Sequence, residues 1–143
     1  MHIDHQYCTF RVGAHFFGVA VDKVQEVVRQ QPMTRVPLAP REVSGLINLR
    51  GQIVTTIDLR RRMHLPERAA DEAHTNVLVS TAEGAVSFQV DHIDDVIEVD
   101  AASIEAAPET IEPFVREMID GVSKLDGRLL LLLDEHKAME LSN

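Results

Sequence analysis

Cysteine is nearly missing from this chain. Cys8 is the only one in 143 residues, so no disulfide can form within the molecule. Long apolar runs are missing as well. The longest, Leu129 to Leu133, falls far short of the roughly 20 residues that span a bilayer and suits a buried strand. The opening Met1-His2-Ile3-Asp4-His5 has neither a basic start nor an apolar core, so no secretory signal and a cytoplasmic location are expected. Basic charge is scarce: 14 Lys/Arg stand against 23 Asp/Glu, a net charge of −9. That balance argues against general nucleic-acid binding, which needs a basic surface. The scarcity is uneven. Residues 1–66 carry nine Lys/Arg and five Asp/Glu, whereas residues 67–120 carry two and fourteen. Such a split permits a basic face on the first half and an acidic one on the second, or simply two solvated halves.

Catalytic signatures are absent too. The chain has no Gly-x-Ser-x-Gly elbow, no phosphate-binding Gly-x-x-x-x-Gly-Lys and no dinucleotide fingerprint. No histidine pair has the His-x-x-x-His spacing with a carboxylate that a helical zinc site uses. These absences shift the reading from enzyme toward binding module, with no catalytic, cofactor or metal residue expected.

What is present is a strand rhythm. Phe10 and Val12, then Phe17, Val19 and Val21, alternate with small or polar residues; so do Val77 and Val79, and Val86, Phe88 and Val90. Alternation of β-branched and aromatic residues predicts half-buried strands. Gly13-Ala14-His15 and Ala82-Glu83-Gly84 separate paired runs and predict hairpin turns.

The rhythm repeats at a larger scale. Phe17 to Val28 aligns without gaps on Val86 to Ile97, with Val21/Val90, Asp22/Asp91 and Val27/Val96 identical. Gly45 to Met63 aligns on Gly121 to Met139, with Gly45/Gly121, Leu49/Leu125, Gly51/Gly127, Asp58/Asp134 and Met63/Met139 identical. The blocks keep their order, which predicts one domain over residues 1–143 made of two copies. The copies cover about 6–66 and 74–141, joined by a linker at about 66–74. Asp126-Gly127 predicts a type I′ hairpin turn, and Arg50-Gly51 is its aligned counterpart. Gly51 and Gly127 are therefore expected structural turn residues. Strands are expected over 52–57 and 128–133. Asp58 and Asp134 are expected to cap short helices, Leu59–Leu65 and Glu135–Leu141, the first stopped by Pro66. Residues 32–40 and 101–113 are expected connections, with a helical turn near Ala102 to Ala107. Many short strands in two copies predict an all-β fold of two small packed barrels, with exchange of strands between copies left open.

Individual residues divide into structural and functional readings. Cys8 lies in an expected strand and reads as a buried thiol. Asp91-His92-x-Asp94-Asp95 looks like a ligand cluster, but its aligned counterpart holds Lys23 at the histidine position, which favours a solvated strand end or helical turn. Arg60-Arg61-Arg62 reads as a solvated helix face. Met63 and Met139 read as core, as do Val24, Val27 and Val28, with one of these valines allowed to line a groove. Arg50 is different, because its aligned partner Asp126 is the residue type such a turn favours. Two readings stand: a tolerant loop, or a guanidinium fork at a hairpin tip presented to a partner's carboxylates or carbonyls.

Gly45-Leu-Ile-Asn-Leu-Arg-Gly-Gln-Ile-Val54 with Ile57-Asp-Leu-Arg60 resembles the signature of CheW-like domains. Val21–Val27, Val90–Val96 and Ile119–Asp134 resemble further motifs of that family, and the match covers nearly all of residues 6–141. Thr55 stands where a proline is common in the family. The resemblance implies two packed SH3-like five-stranded β-barrels from an internal duplication, each copy ending in a short helix, and no catalysis. It implies an adaptor that couples the regulatory domain of a CheA-type histidine kinase to the cytoplasmic tips of methyl-accepting chemoreceptors, without nucleic acid or membrane insertion, recruited to membrane-bound receptor arrays. Arg50 matches the family's motif arginine, and Val24, Glu26 and Ile53 match positions near functional surfaces, so these four are the expected partner-binding residues. Two other readings keep the same barrels: an adaptor for type IV pili or a diguanylate cyclase pathway, or a small ligand sensor. A deep polar pocket would favour the sensor, a shallow groove the adaptor.

Overall fold

A computed structural model describes residues 4–69 and 72–141. Eleven strands appear among them: β1 Asp4–Val12, β2 His15–Ala20, β3 Val24–Arg29, β4 Val43–Leu49, β5 Gln52–Asp58, β6 Thr75–Thr81, β7 Gly84–Val90, β8 His92–Asp100, β9 Ile104–Glu105, β10 Ile119–Leu125 and β11 Arg128–Leu133. Three one-turn helices accompany them: α1 Leu59–Arg62, α2 Pro113–Arg116 and α3 Glu135–Ala138. The strands form two barrel-like sheets, ordered β8-β1-β2-β11-β10-β9 and β3-β6-β7-β5-β4.

Those orders show that hairpins are exchanged. The first hairpin, β1–β2, bonds to β8 and β11 of the second half, while β6–β7 bonds to β3 and β5 of the first. The two junctions match: β2 runs parallel to β11, and β7 runs parallel to β5. Neither sequence half can therefore complete a sheet alone. One sheet has six strands instead of the expected five, because residues 104–105 add the two-residue β9. At the corresponding edge of the other sheet the chain makes only an isolated bridge, Thr34 to Leu46.

Each strand that is buried on both faces feeds two cores. Leu131 and Leu133 join a central cluster with Phe10, Phe17, Val77, Phe88, Ile57 and Met63, drawn from both sheets. Leu130 and Leu132, on the opposite face, fill the six-stranded barrel with Phe16 and Val99. Ile47, Leu49, Val54 and Leu78 fill part of the five-stranded barrel. This is why residues 130–133 are continuously apolar rather than alternating.

The identical glycines at 45 and 121 have a steric cause. A Cβ at Gly45 would stand 2.6 Å from the Thr34 carbonyl oxygen, and one at Gly121 would stand 2.7 Å from that of Glu105. Both sites let an edge segment approach a bulged strand, with register shifts at 43/45 and 119/121.

The helices are shorter than expected. α1 ends at Arg62, not Leu65, and Pro66 is not what stops it. His64 takes a left-handed φ of 60, its N–H donates to the Arg61 carbonyl at 3.1 Å, and the Leu65 N–H donates to that of Arg60 at 2.8 Å. That is a Schellman ending with histidine in place of glycine. α3 ends at Ala138 rather than Leu141. Both begin on their expected caps: the Asp58 carboxylate accepts the Arg60 N–H, and that of Asp134 accepts those of His136 and Lys137. Near residues 102–107 the chain forms a 3-10 turn, Ala101–Ser103, followed by β9.

Candidate interaction surface

The β4–β5 hairpin turns on Arg50 and Gly51, with φ of 52 and 86. Positive φ at both central residues is the type I′ pattern, so arginine occupies a position that usually takes Asn, Asp or Gly. Asn48 supports the turn, its Oδ1 accepting the Gly51 N–H at 3.0 Å. At the aligned turn only Gly127, φ 83, has positive φ. The type I′ expectation for Asp126-Gly127 is thus corrected to a turn with only its second residue left-handed, as in type II.

From this tip the Arg50 side chain, 72% exposed, reaches Glu26 on β3, 30% exposed, and its Nη2 donates to the Glu26 carboxylate. β3 and β4 are the two edges of the five-stranded sheet, so the ion pair links one edge to the other. The Glu26 hydrogen bond raises the Arg50 pKa above its ordinary value. The pair is open to solvent, where screening leaves such bridges little stabilising effect.

Ile53, three residues past Arg50, lies on the outer face of β5 and is 60% exposed. Val27 on β3 is 41% exposed, so the core reading of that residue is corrected. Strand β3 alternates, turning Val24, Glu26 and Val28 partly inward and Gln25, Val27 and Arg29 outward. Val24 packs against the central core. Of the four expected contact residues, Arg50 and Glu26 touch each other, Ile53 is exposed on the neighbouring strand, and Val24 is turned largely away. The outward alternation was the signal for Val27. Its aligned residue Val96, on edge strand β8, is 55% exposed as well.

Elsewhere, charge is used to join parts of the fold. Asp91 is the clearest case. Its carboxylate accepts the Gly13 N–H at 2.7 Å, Arg60 Nε and Nη2 at 2.9 and 2.7 Å, and Arg68 Nη2 at 2.6 Å. Burial pushes its pKa up, but the Arg60, Gly13 and Arg68 hydrogen bonds outweigh that and hold it far below the ordinary carboxylate range. Asp91 is therefore a clasp between the β1–β2 turn, α1 and the segment after it. The Arg60-Arg61-Arg62 run is not a solvated face. Arg60 grips Asp91, Arg61 pairs with Glu67 at 2.7 Å, and Arg62, buried, donates to the Ala138 and Lys137 carbonyls at 3.3 and 3.2 Å. Cys8 is buried, and burial raises its thiol pKa.

The sequence model of the CheW-like domain matches residues 6–142. The chain belongs to the CheW-like family. It is 31% identical over 131 residues to the chemotaxis protein CheW of Bacillus subtilis, covering 92% of this chain and 84% of that protein. To CheW of Treponema pallidum it is 30% identical, over 92% of this chain and 80% of the relative. Its fold superposes on the scaffolding protein TtCheW of Thermoanaerobacter tengcongensis with a TM-score of 0.87 and 26% identity, covering 98% and 95% of the two chains.

Proposed function

We propose that this CheW-like chain is an adaptor that couples methyl-accepting chemoreceptors to the regulatory domain of a CheA-type histidine kinase. In this reading it works as a scaffold rather than a catalyst, and it is drawn to receptor arrays at the membrane. None of the described helices is long and apolar enough to cross a bilayer. Two copies, about 6–66 and 74–141, act as one unit because their hairpins are exchanged.

The observation that carries the reading is the Arg50 tip. A guanidinium held out on a tight turn, paired among the described residues only with the half-buried Glu26, is ready to donate to a partner's carboxylates or carbonyls without refolding, and the exposed Ile53 offers apolar contact beside it. We assign Arg50, Glu26 and Ile53 to that contact surface. Val24 serves it from beneath by fixing β3 on the core.

The test is reconstitution. Receptor-containing membranes and purified kinase are sedimented with and without the chain. The expected result is kinase in the pellet only when the chain is present. Equal kinase in both pellets would refute the coupling role.

A further inference from the structure

Residues 35–41, Arg-Val-Pro-Leu-Ala-Pro-Arg, lead into β4 at the end away from Arg50. Leu38 is wholly exposed, 104%, and sits at a left-handed φ of 66. A bulky residue is disfavoured there, and an exposed leucine forgoes the gain of burial. Leu38 belongs to none of the three hydrophobic clusters, so the fold gains nothing from it. The loop nevertheless holds it firmly outward. Pro37 and Pro40 flank it, the Ala39 N–H donates to the Val36 carbonyl at 3.3 Å, and the Val43 N–H donates to that of Pro40 at 3.0 Å. Strain kept at an exposed site is a mark of function.

Around this knob the charge is positive. A hollow of about 670 Å³ beside it is lined by Arg35, Arg41 and Arg61 against the single carboxylate of Glu67. Glu67 is already held by Arg61 at 2.7 Å. Arg41 donates to the Arg61 backbone carbonyl at 3.3 Å, and Arg35 has no carboxylate partner among the described residues. Val36, 39% exposed, extends the apolar area.

We propose that residues 35–41 form a second docking surface, on which Leu38 enters an apolar socket of an acidic partner protein while Arg35 and Arg41 pair with carboxylates at its rim. Extended polyanions such as nucleic acid or an anionic bilayer fit less well, because the chain as a whole carries −9. A local cluster of carboxylates meets only the basic rim. The inference rests on the coupling reading, since an adaptor needs two faces, and the seven residues of β4 hold this one about 20 Å from Arg50.

Purified kinase regulatory domain and purified receptor cytoplasmic fragment are titrated separately with wild type, Leu38→Asn and the double variant Arg35→Glu/Arg41→Glu. One of the two partners should lose about 30-fold in affinity to Leu38→Asn, the scale of an interface anchor. Its binding to wild type should weaken with salt, and the arginine double variant should lose that dependence. Asparagine tolerates left-handed backbone, so Leu38→Asn should melt at or above the wild-type temperature. Wild-type affinity of Leu38→Asn for both partners overturns the surface and leaves the coupling reading standing. Wild type that binds neither partner overturns both. A lowered melting temperature makes Leu38 a structural residue and overturns the proposal. Binding of wild type to phosphatidylserine vesicles, lost in the arginine double variant with protein binding intact, assigns the rim to lipid and also overturns it.

Discussion

The two barrels share a topology but differ inside. In the six-stranded barrel Leu132 on β11 sits beside Gly18 on β2, and Tyr7 on β1 faces Ala20. At the matching places in the five-stranded barrel Thr56 on β5 sits beside Ser87 on β7, and Asn76 on β6 faces Gln89. All four polar residues are buried. Gln89 is satisfied by the Ser44 hydroxyl at 2.6 Å, but Thr56 Oγ1, Ser87 Oγ and Asn76 Oδ1 have no hydrogen-bond partner among the described residues. One interior is mostly apolar, with buried Ser123 meeting the Ser103 hydroxyl at 3.2 Å; the other is apolar at one end and polar at the other. A shared strand order thus does not impose a shared core, and stability should be distributed unequally between the halves.

The largest effect expected follows from the apolar side. Leu132→Ala removes a buried side chain from a tightly filled interior and should cost about 2–5 kcal/mol in chemical denaturation. A loss below about 1 kcal/mol would mean that the apolar filling of the six-stranded barrel contributes little to stability.

A middle effect is expected at the clasp between them. Asp91→Asn keeps the shape but takes a charge from Arg60 and Arg68, and should cost about 2 kcal/mol once residual solvent access is allowed for. The pH dependence has a definite sign. The folded pKa of Asp91 lies below its unfolded value, so its stabilisation is complete above the unfolded carboxylate range near pH 4 and fades as pH falls below it. Wild type should therefore lose stability between about pH 4 and pH 2 more steeply than Asp91→Asn. Parallel acid curves would remove Asp91 from that role.

The smallest effect belongs to the polar interior. Ser87→Ala deletes a buried hydroxyl that has no protein partner, so the change in stability should lie within about 1 kcal/mol of zero and can be positive. Set against Leu132→Ala, it measures the contrast directly. A loss comparable to that of Leu132→Ala would show the polar end to be a satisfied network rather than a compromise.

Much of this fold is legible in the sequence, for local reasons. Alternation placed Phe17, Val19 and Val86 to Val90 in strands, and the caps at Asp58 and Asp134 needed only their own neighbours. What was not legible depended on distant contacts. Nothing near Gly13 says that its amide meets Asp91, and nothing in an arginine triplet says that Arg62 is buried against the end of α3. The exchanged hairpins are invisible for the same reason, because strand pairing is decided between halves. His64 ends α1 without a readable signal, because a left-handed histidine carries no composition mark. At the contact surface, the Arg50 turn could be read from its alignment with Asp126, whereas its pairing with Glu26 joins opposite sheet edges and needs the folded barrel.

The central claim is that Arg50 serves a partner rather than the fold. Kinase co-sedimentation with receptor membranes, run beside thermal melts for wild type, Arg50→Ala and Arg50→Lys, tests it most directly. The account predicts overlapping melting curves with assembly weakened about tenfold or more in Arg50→Ala, and poor rescue by lysine, whose point charge lacks the planar fork. Normal assembly with Arg50→Ala, or a collapsed melting curve, would contradict it.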